Sequence, residues 1–466
     1  MNVPLLNHFK NREIDMTEGK LFPKIVIFSV PLMLTGILQL LFNTADMIVV
    51  GSLLSDTALA AVGSTGSLVN LIVNLFIGLS VGAGVVMAKY FGAKDKENSS
   101  KTLHTAMIVG LVSGIIIAII GCVFSRDMLV LMKTVDECLP LATEYLFIYF
   151  LGAPFNLVYN FGASILRATG DTVRPLLYLF LAGTLNVIVN LIAVLVFKMG
   201  VAGVAYATIS SQAVSAILVM ITLSKNKGYA RFEFKKARVH KNVLLEILRF
   251  GIPSGIQTSL FSISNVIIQS TINDFGKDTV AACTAASQLE GFVYTVMDAV
   301  ASAAVTAVGQ NYGAQKYERI KKTVIYCCLF ATAASSVAVG IELIFHNQLI
   351  SLYVKTDEQA KMAFERLVII IVPYFTCGIM NVVNCAIRGI GYSFTPMIIV
   401  LVGTCVFRLI WIYCIFPLDP VVTSIYLSYP ISWVITALAG SLAFALLYKK
   451  RKKQLAADEL LNARAE

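Results

Sequence analysis

The sequence predicts an all-α membrane protein of twelve transmembrane helices in two pseudo-symmetric six-helix bundles. Three observations predict it. The composition is too apolar for water: of 466 residues, 57% are hydrophobic and 14% charged, with a mean hydropathy of +0.79. A soluble domain carries about 25% charged residues. Second, apolar stretches of about 20 residues or more, each enough to cross a ~30 Å hydrocarbon core, recur along the whole chain. Third, two patches repeat at one offset. Lys89-Tyr90-Phe91-Gly92-Ala93 returns as Gln310-Asn311-Tyr312-Gly313-Ala314, 221 residues later. Ile165-Leu166-Arg167-Ala168-Thr169-Gly170 with Pro175 returns at the same offset as Ala386-Ile387-Arg388-Gly389-Ile390-Gly391 with Pro396.

The spans fall at 25–50, 58–88, 102–124, 141–166, 175–197, 201–223, 243–272, 279–309, 323–345, 362–387, 395–416 and 422–447. Backbone polar groups in lipid must bond internally, so these are helices. Alternating segments of about ten residues, the mark of an outer-membrane barrel, are absent. The offset is far longer than a solenoid's 20–50 residue period and reads as a bundle duplicated and fused. In a membrane chain that pattern points to a transporter.

Lys and Arg in the connections give the orientation. They crowd the N-terminal tail (Lys10, Arg12, Lys20, Lys24), the second loop (Lys89, Lys94, Lys96, Lys101) and the central linker (Lys225 to Lys241). They crowd again in the eighth loop (Lys316, Arg319, Lys321, Lys322) and in Lys449 to Lys453. The connections after spans 1 and 11 carry none. Both termini are therefore expected in the cytoplasm. Six spans return the chain to its starting side, so the two halves are parallel repeats.

The expected organisation is a bundle at 1–223, a cytoplasmic linker at 224–241, a second bundle at 242–448 and a tail at 449–466. The linker reads as a solvated loop near anionic lipid heads, and the end of the tail as unstructured. The first 20 residues lack an apolar h-region, so no cleaved signal peptide is expected. The net charge of +10 is accounted for by the loops, and nucleic-acid binding is not expected. The nine cysteines form no C-x-x-C pair and read as packing residues. No phosphate-binding glycine loop, metal-ligand cluster or nucleophile–base pair is visible, so neither an ATP motor nor an enzyme is expected. No cofactor is expected.

Charges inside spans are costly and are functional candidates by default. The deepest are Asp46, Glu290, Asp298 and Arg408, with Arg408 read as the only deep cation. Asp46 lies nine residues before Ser55, roughly 13 Å in at 1.5 Å per residue. Gln39 and Asn43 share its helix face by i, i+4, i+7 spacing. Asn186 and Asn190 of span 5 and Thr208 of span 6 lie at similar depth, roughly 12–18 Å. Such oxygens suit a hard cation such as Na⁺; a lone carboxylate suits a proton. The same groups also serve simply as interhelical glue. Glu290 lies near mid-depth. It reads either as the receiver of a cationic substrate or coupling proton, or as a structural partner of Arg408. Tyr294, Met297 and Phe292 beside it offer cation–π and soft contacts, or plain core. Pro31 and Pro253, early in spans 1 and 7, each remove a helical hydrogen bond and permit a kink.

These residues together resemble the multidrug and toxic compound extrusion (MATE) family of secondary transporters. The resemblance rests on Pro31, Gln39, Asp46 and Gly51 in and after span 1, and on the Tyr90-Phe91-Gly92-Ala93 and Tyr312-Gly313-Ala314 loops. It rests also on Arg167-Ala168-Thr169-Gly170-Asp171 to Pro175, Asn186 to Asn190, and Val201-Ala202-Gly203-Val204-Ala205 to Gln212. It covers about Leu21 to Tyr448. It implies export of cationic amphiphilic compounds in exchange for H⁺ or Na⁺ by alternating access. It assigns the coupling cation to Asp46, Asn186, Asn190 and Thr208, with Tyr145 as a further member. These four residues would be the Na⁺ ligands if the protein is sodium-coupled. It also implies a bend at Pro31 that changes with the state of Asp46. The departure is Asn190, where many members carry Asp, leaving one formal negative charge. A lipid-linked oligosaccharide flippase of similar architecture is the nearest alternative, but such a cavity wants several cations. A membrane-embedded enzyme and a channel fit less well. A monomer in the cell membrane is expected.

Overall fold

The computed structural model describes residues 13–465 except 133 and 355; the side chains of 56, 67, 70, 71 and 455–466 are also left undescribed. His8, Lys10 and Arg12 of the N-terminal tail lie outside the described residues. The structure is helical, with no strand among the described residues. Twelve long elements follow in order: α1 (Leu21–Leu53), α2 (Asp56–Gly92), α3 (Lys96–Leu131), α4 (Leu139–Leu151 and Ala153–Ala168), α5 (Val173–Leu195) and α6 (Gly200–Lys225). After the linker come α7 (Lys241–Asn273), α8 (Lys277–Gly313), α9 (Tyr317–Ile344), α10 (Asp357–Ile371 and Tyr374–Gly389), α11 (Phe394–Leu418) and α12 (Val422–Ala465). α4 and α10 are bent by 47° and 44° at equivalent places in the two halves. α7 is as long as its neighbours but richer in Ser, Thr, Asn and Gln. The tail expected to be unstructured continues the α12 helix to Ala465.

The duplication is written in the backbone. Lys94 and Gln315 both take φ 57°, and Gly170 and Gly391 take φ 95° and 97°. Each pair stands 221 residues apart. Each helix before them is closed by the same bond: Asp95 N to Tyr90 O, Lys316 N to Asn311 O, Asp171 N to Leu166 O and Tyr392 N to Ile387 O. An amide reaching back five residues across a left-handed position satisfies a carbonyl that the helix end would orphan.

The contacts resolve two units. Of the described residues, the N-terminal unit comprises 13–15 and Leu34–Ser259, and the C-terminal unit Met16–Met33 and 260–465. The first part of α1 thus belongs with the later helices, and the first part of α7 with the earlier ones. Within the N-terminal unit, α2 meets α7 backbone to backbone. A Cβ on Gly78 would stand 2.3 Å from the Gly255 backbone, and one on Gly82 2.5 Å from Ile247 O. Small residues let helices approach this closely in lipid. The linker, read from sequence as a solvated loop, is docked on the same unit. Ala230 and Phe232 are buried, the His104 ring stacks on Phe232 at 4.9 Å, and Glu233 N donates to His104 Nε2 at 3.0 Å.

In the C-terminal unit, α8 is the central element, burying Leu289, Val293 and Met297 against α10 and α12. The segment before α1 is fastened here. Met16 N donates to Gln310 Oε1 (2.8 Å), while Asn311 Nδ2 and Arg319 Nη2 donate to Met16 O.

Candidate functional site

Each unit holds a cavity of similar size, and their chemistry differs. The cavity of the N-terminal unit has a volume of about 300 Å³. α1 lines it with Gln39, Phe42, Asn43 and Asp46, at the spacing that puts them on one face. α4 adds Tyr145, Tyr149, Asn156, Tyr159 and Asn160; α5 adds Asn186; α6 adds Thr208, Ser211, Gln212 and Ser215. Asp46 is the single formally charged residue in this wall. Asn190, fully buried behind the wall, donates its Nδ2 to Asp46 Oδ1 at 3.0 Å. Asn186 Oδ1 and Asn190 Oδ1 are buried and accept no hydrogen bond. A carboxylate with two such amide oxygens nearby is an oxygen-rich set suited to a hard cation or a proton. Thr208 Oγ1 is bonded to Val204 O of its own helix (3.0 Å). Tyr145 and Tyr149 stack at 6.2 Å.

The sequence reading brought together Gln39, Asn43, Asp46, Tyr145, Asn186, Asn190 and Thr208; the structure places six of them on this cavity and Asn190 behind its wall, bonded to Asp46. It missed Asn156, Asn160, Gln212, Ser211 and Ser215. The signal was available: 156 and 160, and 208, 212 and 215, follow the helical spacing that singled out α1.

The cavity of the C-terminal unit has a volume of about 310 Å³. Phe261, Tyr294, Tyr374, Tyr429 and Trp433 make an aromatic wall around Glu290, Arg366 and Arg408. Glu290 does not pair with Arg408. Its partner is Arg366 of α10, whose Nε and Nη2 reach the carboxylate at 3.0 and 3.4 Å and whose Nη2 also donates to Ser287 Oγ at 2.7 Å. Both side chains are buried, at 4% and 10% exposure. Arg408 is thus not the only deep cation. Arg366 lies near the start of the apolar run 362–387, where a charge reads as interfacial. Arg408, 1% exposed, donates Nε to Ser432 Oγ at 3.0 Å and lies 4.1 Å from the Tyr429 ring centroid. Tyr294 lines this cavity. Met297 is fully buried in the core beside Gly378, and Asp298 is exposed and not part of the cavity wall. Pro31 lies within α1 of the C-terminal unit and Pro253 within α7 of the N-terminal unit.

The two cavities occupy equivalent positions of the repeat. At the 221-residue offset, Tyr145, Asn156, Thr208 and Gln212 correspond to Arg366, Cys377, Tyr429 and Trp433. Between α1 and α7 the offset is 222, as Pro31 and Pro253 show, and it pairs Gln39 with Phe261 and Asn43 with Asn265. In α11 the π-helical stretch Leu401–Val406 takes up one extra residue, so Asn186 corresponds to Arg408. The counterpart of Asp46 is Ile268, a core residue. The first cavity therefore carries one net negative charge and the second one net positive charge.

The comparisons agree with this architecture. The MatE family profile matches twice, at residues 31–192 and 253–414, once in each half. The chain is 28% identical over 382 residues to the probable multidrug resistance protein YoeA of Bacillus subtilis, covering 80% of this chain and 82% of that one. It is 23% identical to the multidrug export protein MepA of Staphylococcus haemolyticus, covering 82% of each. The outward-facing structure of a multidrug resistance MATE family transporter superposes with a TM-score of 0.87 at 25% identity. That match covers 95% of this chain and 99% of the other. A chain that matches the family over both halves, with its twelve helices and its duplicated loops, belongs to the MATE family: it is a membrane transporter and not an enzyme.

Proposed function

We propose that the protein exports amphiphilic organic cations in exchange for H⁺ or Na⁺, with the coupling cation bound in the N-terminal cavity at Asp46. The observation that carries this reading is the lone carboxylate. Asp46 is the only formal charge in a polar, aromatic-flanked cavity, and Asn190 holds its orientation. Asn186 and Asn190 supply amide oxygens and Thr208 a hydroxyl; Gln39, Asn43 and Tyr145 complete the polar wall. An organic cation fits the same space, with its charge toward Asp46 and its flat body against Tyr145 and Tyr149. Two cations competing for one carboxylate cannot be bound together, which favours exchange over co-transport. Glu290 is committed to Arg366, so it is a poorer candidate for this role. The similarity to YoeA, a probable multidrug resistance protein, and MepA, a multidrug export protein, supports the substrate class.

We read α1 and α7 as hinged at Pro31 and Pro253, both termini as cytoplasmic, and the chain as a monomer that acts by alternating access. Reporters fused at Lys198 and Lys453 should label opposite sides of the membrane; labelling on the same side overturns the orientation. The functional reading is tested by reconstituting the protein in vesicles and following efflux of a cationic dye with a Na⁺ or a pH gradient imposed separately. One of the two gradients should drive uphill dye movement. Movement under neither gradient refutes the exchange.

A further inference from the structure

We propose that the cavity of the C-terminal unit is an anion site, which takes the carboxylate or phosphate of a molecule with an aromatic or apolar body and holds it chiefly through Arg408. Three buried guanidinium nitrogens on its wall have no hydrogen-bond partner: Arg366 Nη1, Arg408 Nη1 and Arg408 Nη2. A charged donor left unpaired away from water is strongly disfavoured unless something answers it. The only carboxylate in the wall, Glu290, is already held by Arg366 through two of its nitrogens. Among the residues of the wall, Arg408 is therefore the cation with no carboxylate bonded to it.

Arg408 is also positioned as a receptor. Ser432 holds its Nε, and its guanidinium lies within 6 Å of the Tyr429, Phe261 and Trp433 rings. With Nε taken by Ser432, the unbonded Nη1 and Nη2 are the pair that can meet an anion's two oxygens, the manner in which arginine binds carboxylate and phosphate. The backbone is shaped for this. Arg408 stands on a single α-helical turn, Phe407–Ile410, between the π-helical stretches Leu401–Val406 and Trp411–Ile415. Such insertions are unfavourable in an ordinary helix and concentrate at functional sites. A volume of about 310 Å³ leaves room for a body of one or two rings against Tyr294 and Tyr374.

The occupant is either a soluble aryl anion or the phosphate of a bilayer lipid, and one experiment separates them. The chain has two tryptophans, and Trp433 lines the cavity. In the Trp411→Phe protein, held in phosphatidylcholine nanodiscs, Trp433 is the sole indole reporter. Its fluorescence is titrated with 4-nitrobenzoate and with 4-nitrobenzamide, quenchers of nearly equal shape and different charge. The anion should quench at a concentration lower by about tenfold or more, as expected for charge-assisted hydrogen bonds to a buried arginine. Arg408→Gln should erase that preference, and Arg408→Lys should keep part of it. Repeating the titration with phosphatidylglycerol in the nanodisc assigns the source. Competition against 4-nitrobenzoate marks a lipid phosphate, and its absence a soluble anion. To guard against a misfolded variant, thermal unfolding is followed in parallel: Arg408→Gln should unfold at the same or a higher temperature, since it removes an unanswered charge. Equal quenching by the two probes, or an anion preference that survives in folded Arg408→Gln, overturns the proposal.

Discussion

The two cavities descend from one duplicated structure and have moved to opposite charge. In the N-terminal unit, Asp46 faces amides, hydroxyls and tyrosines. In the C-terminal unit, the position of Asp46 is the core residue Ile268, and the positions of Tyr145 and Asn186 have become Arg366 and Arg408. The scaffold tolerates this because the loops that close each helix end, not the cavity walls, fix the backbone. Lys94 with Gln315, and Gly170 with Gly391, keep matching dihedrals while the residues between them differ. The difference teaches that pseudo-symmetry of fold does not carry pseudo-symmetry of function. Among the described residues that line the two cavities, only Asp46 is a carboxylate with no basic partner.

The largest expected effect comes from removing that carboxylate. Asp46→Asn should abolish gradient-driven efflux, by about a hundredfold or more if the coupling interaction is worth about 3 kcal/mol, while the protein still inserts and folds. Normal efflux by this variant would erase the functional contrast between the cavities.

On stability rather than transport, the largest effect should come from Arg366→Gln, which strands Glu290. Breaking one side of a buried pair costs about 3–5 kcal/mol. Thermal unfolding in detergent should show a large loss, and Glu290→Gln added to it should recover most of the stability. A single variant as stable as the parent would mean that the pair is not formed.

Asn190→Asp tests the first cavity from the other direction. A second carboxylate beside Asp46 strengthens the attraction for any cation, so the ion dependence of efflux should move to about tenfold lower Na⁺ or about one unit higher pH. Superimposable curves would mean that Asn190 does not sense the ion. The smallest effect belongs to Ser432→Ala, which removes the one hydrogen bond of Arg408 and should cost about 1 kcal/mol of stability.

Much of the fold was legible because membrane insertion is written in simple terms. Apolar length gave the spans, Lys and Arg the expected orientation, and the 221-residue offset the two halves. The bends in α4 and α10 are not told by apolar length, which is indifferent to direction, but Pro154 and Pro373 stand at the two breaks and were the available signal. The first cavity was legible because its polar residues recur at helical spacing on α1 and α5 inside apolar surroundings. The second was misread at its centre. Glu290 and Arg366 stand 76 residues apart, and depth along a span says nothing about which helices are neighbours. Arg408 drew the assignment because it was the cation visible in mid-span. The docking of the linker through Phe232 and His104 was hidden by the charged residues around it.

The most direct test of the account is ion release from the purified protein. Adding a cationic substrate to the wild-type protein in detergent should release one equivalent of H⁺ or Na⁺, read with a pH dye or a sodium electrode. Under the same conditions Asp46→Asn should release none. Equal release from the two proteins would contradict the assignment of the coupling cation to Asp46.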